Sequence, residues 1–165
     1  MTTSATKSAF QIAKYAHDLL EKAVSDFPAD KLTFQTSPTD NHILWHLGHL
    51  AMDYKWFASA IDGKPGDIAE AESKLFGMGS KPVADPKAYP PIAELRKRFD
   101  AAWQRFAAAA ESLREEDALK PPQIETGGFL KDRLDTVNKT AWHDGWHTGQ
   151  ISGLRKALGL KGLFS

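Results

Sequence analysis

The sequence predicts an all-α fold, a bundle of four long helices, on three observations. Four long segments repeat apolar residues at three- and four-residue spacing, the signature of one buried helical face. Clusters of proline, glycine and small polar residues separate them. No stretch shows the strict alternation of a strand, and no internal repeat is present. Two of the three connections are long, which implies a bundle that is not simply up-down-up-down.

The first helix is expected from about Ser4 to Phe27, with Phe10, Ala13, Ala16, Leu19, Leu20, Ala23, Val24 and Phe27 inward. Phe27-Pro28 and TFQTSPTD break it, and Thr39 or Asp40 is placed to cap a second helix. That helix runs to about Ile61 and stops at DGKPG. Its core face is Ile43, Leu47, Leu50, Ala51, Tyr54, Phe57, Ala58 and Ile61. The connection from Asp67 to Pro91 has room for a short helix in its first half, before glycines and prolines make a loop. Pro91 suits the first turn of a third helix, PIAELRKRFDAAWQRFAAAAESLREED, with Leu95, Phe99, Trp103 and Phe106 inward. A second connection, ALKPPQIETGGFL, leads to a fourth helix from about Leu134 to Leu158, closed by Gly159.

A chain of 165 residues suits one domain, 1–165, around one core. Lysine plus arginine equals aspartate plus glutamate, 21 against 21, so no excess charge draws the chain to nucleic acid or to anionic lipid. Cysteine is absent, which excludes disulfides, thiol nucleophiles and thiolate ligands together. Any metal must be held by nitrogen and oxygen. With no apolar leader and no membrane-length apolar run, a soluble, cytoplasmic protein acting on a small molecule is the expectation.

Five of the six histidines lie in two helical stretches, NHILWHLGHLAMDYKWF and WHDGWHTGQISGLRKALG. Residues turn about 100° apart on a helix, so His42, His46, His49 and Asp53 share a stripe about 60° wide beside the apolar face. His143 and His147 share a side of the fourth helix with Gln150, Leu154 and Leu158, where a core stripe would carry leucine. Neutral imidazole is costly to bury unless both nitrogens find partners. A pair at i, i+4 can hold one ion from a single helix face, and a third ligand from another helix leaves the open position of a catalytic metal. Against this stands a buried polar network without metal. Trp45, Trp142 and Trp146 read as core or rim aromatics, His42 as a solvated first-turn residue and His17 as a surface residue. Gly145, Gly149 and Gly153 form a stripe opposite the histidines. Each costs about 1 kcal/mol relative to alanine in a helix, which predicts close approach of another backbone, from this bundle or from a second subunit in a homodimer.

WHLGHLA, then FGMGSKP, AYP and WHDGWHTGQISGLRKALG, in that order over nearly the whole chain, resemble the DinB/YfiT-like superfamily of metal-dependent enzymes. The terminal HxxxHxGQ…LR..LG pattern is the most specific part. The resemblance implies a four-helix bundle with up-down-down-up connectivity. It also implies a divalent metal, zinc or nickel most often, held by three histidines. Carried over by motif, these are His49, His143 and His147. His46 and Asp53 have no fixed place in the ligand pattern. As catalytic candidates they would orient a ligand, contact substrate or move a proton. Asp144 and Gln150 match polar positions of the motif.

Relatives with assigned activities include transferases that attach low-molecular-weight thiols to electrophiles, and iron-using domains of thiol-histidine sulfoxide synthases. The resemblance therefore implies a metal-dependent enzyme that activates a low-molecular-weight thiol or water at a three-histidine site, with zinc or nickel ahead of iron. A non-catalytic metal-binding protein of stress-related interactions is the alternative.

Overall fold

Apolar spacing along the chain produces helices in the expected places. The computed structural model describes residues 4–164. It contains α1 (Ala5–Ser25), α2 (Ile43–Asp62), α3 (Glu70–Phe76), α4 (Ile92–Glu111) and α5 (Arg133–Ala157), with no strand among the described residues. The short α3 occupies the first half of the 67–91 connection. Helix α4 stops at Glu111, before the charged end of its predicted segment, which folds as a separate single turn over Glu115–Asp117. No helix is long and apolar enough to cross a membrane.

Helix α1 packs on α5, α2 on α4, and α2 also meets α5 and carries α3. Helix α2 is buried along almost its whole length because it has neighbours on several sides. Leu20, Leu47, Leu50, Leu95, Phe99, Phe106 and Ile151 fill the space between the long helices, each at most 1% exposed. Burying a side chain of this kind stabilises the fold by about 1.5–3 kcal/mol. Arg155 ties the far end of α5 to α1: it donates to the carbonyl of Ala23 at 2.8 Å, to that of Lys161 at 2.8 Å and to the Asp26 carboxylate. A buried guanidinium at the C-terminus of α1 satisfies a carbonyl that the helix leaves open.

Three expectations need correction, and a fourth is narrowed. Neither Thr39 nor Asp40 caps α2; His42 does, its Nδ1 accepting the Trp45 N–H at 3.2 Å. It is fully buried rather than solvated, because the 77–91 connection folds over it: Nε2–H donates to the carbonyl of Val83 at 3.0 Å, and Tyr89 meets the ring edge-on. His17 is 6% exposed and lies within the buried stripe of α1, between Ala13 and Leu20. Its ring stacks on Trp103 of α4 at 3.7 Å and its Nδ1 lies 3.0 Å from the Tyr54 hydroxyl. The glycine stripe of α5 faces outward, and a Cβ at Gly145, Gly149 or Gly153 would meet nothing within 4 Å. Among the described residues no neighbour stands close to the stripe, so of the two partners it predicts only a second subunit is left. The close approach within the chain is at Gly48, to a side chain rather than a backbone: a Cβ there would lie 2.3 Å from the Phe76 ring.

Candidate metal centre

The histidines of α2 and α5 meet because both helices turn these rings toward a common gap. One nitrogen from each of His49, His143 and His147 lies within 4.8 Å of the others, a cluster able to hold a metal ion. The Nε2 atoms of His143 and His147 are 3.1 Å apart. Asp53, one turn after His49, places Oδ2 3.2 Å from Nε2 of His49 and 3.2 Å from Nε2 of His143.

Backbone and side-chain partners set the orientation of these rings. His49 Nδ1 donates to the carbonyl of Phe76 at 2.8 Å, since a carbonyl can only accept. In the neutral ring this leaves Nε2 as the lone pair, facing the site. Phe76, at the end of α3, reaches that position because Gly48 has no side chain in its way. Trp45 stacks on His49 at 4.4 Å and donates Nε1–H to Ser80 Oγ at 2.8 Å, pinning the loop after α3. His147 Nδ1 lies 3.1 Å from His46 Nδ1. When Nε2 of His147 is kept free for a cation, its Nδ1–H donates to His46. A partner of this kind fixes the tautomer and orientation of a ligating ring.

Burial holds His46, His143 and His147 uncharged. It pushes His46 and His143 down to about 3, with further lowering from neighbouring histidines, and lowers His147 as well. Burial also raises the Asp53 carboxyl to about 6, against the pull of His49. The donor set fits a divalent cation. The His49 lone pair and an Asp53 oxygen are two acceptors 3.2 Å apart, and Nε2 of His143 lies 3.1 Å from Nε2 of His147 and 3.2 Å from that oxygen. Such pairs need a proton or a cation between them. His143 Nδ1 and His46 Nε2 are buried without protein partners.

The cluster opens onto a cavity of about 780 Å³. His49, Asp53, His143, His147 and Gln150 line one side of it. His46 is fully buried behind His147 and is not among the lining residues. Trp142 and Trp146 are rim aromatics, more than half exposed, whereas Trp45 is buried.

Behind the cluster runs a second polar chain that the sequence reading missed. Tyr54 donates to Asp144 Oδ2 at 2.9 Å and receives His17 Nδ1–H at 3.0 Å. Burial, with a smaller contribution from the charge of Asp53, pushes the Asp144 carboxyl well above the ordinary range, although the Tyr54 bond opposes it. Gly48 offered the clearest unread signal: a glycine inside a helix, between two histidines, costs stability unless another group needs the space.

An all-helical protein with three converging imidazoles beside a cavity is thereby defined. The model of the DinB superfamily matches residues 13–151, and the chain belongs to that superfamily. No curated protein matches it.

Proposed function

We propose that this chain is a metal-dependent enzyme in which His49, His143 and His147 hold a divalent cation, zinc or nickel ahead of iron. Its substrate side is a low-molecular-weight thiol transferred to an electrophile, or water in a hydrolysis. The carrying observation is the convergence of one ring nitrogen from each of the three histidines, with the Nδ1 atoms of His49 and His147 turned to Phe76 and His46. A cation bound there supplies Lewis acidity, which lowers the proton affinity of a thiol or water. Asp53, lining the cavity within 3.2 Å of two of the histidines, is the carboxylate placed to receive that proton. His46 acts as a positioning residue through His147. The accompanying fold is the up-down-down-up bundle, supported by the pairing of α1 with α5 and of α2 with α4.

The contacts of Asp53 also favour a second reading, a non-catalytic metal-binding protein of stress-related interactions. As a fourth ligand, Asp53 would fill the coordination sphere and fasten α2 to α5. One variant separates the two. With the enzyme reading, Asp53→Ala retains about one zinc per chain in protein purified without a histidine tag and loses thiol-dependent turnover of an electrophile panel. Loss of the metal itself supports the structural reading. Absence of metal from the unsubstituted protein contradicts both.

A further inference from the structure

The cavity beside the histidines has a lining unsuited to most metabolites. Its volume of about 780 Å³ fits a small organic molecule. Trp56, Phe57, Phe129, Trp142, Trp146 and Met78 form most of the wall away from the histidines, and no lysine or arginine lines it. Asp53 is the one carboxylate among the lining residues, and it faces His49 and His143. Lys139 lies over the Phe129 ring, 4.8 Å from its centroid, but is held by Asp135 at 2.8 Å. An anionic substrate therefore finds no counter-charge on these walls, and its desolvation goes uncompensated.

Aromatic faces supply what the charges do not. Trp142 and Trp146, one helical turn apart with ring centroids 6.0 Å apart, are 55% and 58% exposed, and Phe129 is 45% exposed. Trp56 adds a face 6.1 Å from Phe129. Covering such rings with a flat apolar molecule removes surface from water and adds ring–ring contacts. Serine, threonine, asparagine and glutamine at the edge, including Ser73, Thr126 and Gln150, offer hydrogen bonds to a neutral polar group.

We infer that the organic substrate of this cavity seats a flat, largely aromatic group without negative charge against Trp142 and Trp146. The inference rests on the proposed function of the same site and names the substrate class: of the two reactants in a thiol transfer, the aromatic wall takes the electrophilic acceptor.

The test is calorimetric titration of chelator-treated protein with three probes sharing one ring system, 2-naphthalenemethanol, 2-naphthoate and 2-naphthylmethylammonium. Zinc stoichiometry is measured separately on the same preparation. Removing the metal keeps the carboxylate of 2-naphthoate from binding through it. The alcohol and the ammonium are each expected to bind about tenfold or more tightly than 2-naphthoate, and Trp142→Ala to weaken both about tenfold. Gln150→Lys, at an exposed edge of the cavity, should shift the preference toward 2-naphthoate. Equal or tighter binding of 2-naphthoate by the unsubstituted protein, no binding of the alcohol, or binding indifferent to Trp142→Ala overturns the inference. Alcohol binding by a protein that takes up no zinc would leave the substrate class standing and remove the proposed function. Zinc binding without alcohol binding would do the reverse.

Discussion

Adjacent residues of α2 and α5 enter two different polar clusters. Asp53 and His143 face the cavity, while Tyr54 and Asp144, one residue on in each helix, join His17 on the closed side. Both clusters contain histidine and aspartate, and both are largely buried. In the closed cluster donors and acceptors alternate, from His17 to Tyr54 to Asp144. In the open one, three imidazoles each bring a nitrogen within 4.8 Å of the others, and an Asp53 oxygen lies 3.2 Å from two of the rings. Burial therefore does not distinguish a ligand from a structural histidine; the convergence of several ring nitrogens on one point does.

The largest expected effect breaks the two apart. His49→Ala is expected to weaken zinc binding by more than about 100-fold, beyond the usual 10–100-fold cost of losing an outer partner. His17→Asn should leave affinity nearly unchanged. Competition with a chromophoric chelator measures both, and equal losses would erase the distinction.

Acidification sharpens it next. Burial pushes His17 down to about 4 from its ordinary 6.5, so the unfolded chain binds this proton more readily than the folded one. The contribution is fully present above pH 6.5 and is lost as pH falls through about 4. It amounts to about 3 kcal/mol. Urea unfolding between pH 7 and pH 4 should show a shallower decline for His17→Asn than for the unsubstituted protein.

Periodicity made only part of the ligand cluster legible; the choice of His49 came from the resemblance to the DinB motif. His143 and His147 share a helix face at any packing, and His49 completes the motif. What the pattern could not supply was the group opposite each ring. Trp103 of α4 buries His17, and the Val83 carbonyl buries His42; neither can be read from α1 or α2 alone. The Phe76 carbonyl is a backbone group from an irregular connection, invisible in any side-chain pattern. The helices themselves were legible from periodicity, except where charged residues ended α4 early.

A smaller effect tests that hidden carbonyl. Gly48→Ala puts a methyl 2.3 Å from the Phe76 ring, which must shift and carry its carbonyl from His49. Overpacking of this kind costs about 1–3 kcal/mol of stability. Zinc affinity should fall by about 10-fold or more, because His49 loses its orienting partner. Thermal unfolding and the same chelator competition read the two effects separately.

The smallest effect concerns the outward face of α5. Gly149→Ala meets no neighbour within 4 Å, so in dilute solution it should stabilise the chain by about 1 kcal/mol through helix propensity alone. A concentration series of thermal melts would reveal a second copy seated on the glycine stripe, as a loss of stability that grows with concentration.

The most direct measurement is anomalous diffraction at the zinc edge from crystals of protein without a histidine tag, grown with stoichiometric zinc. The account predicts one strong peak among Nε2 of His49, His143 and His147, on the side open to the tryptophan-lined cavity. Zinc located elsewhere, with the three rings hydrogen-bonded to one another, would contradict it.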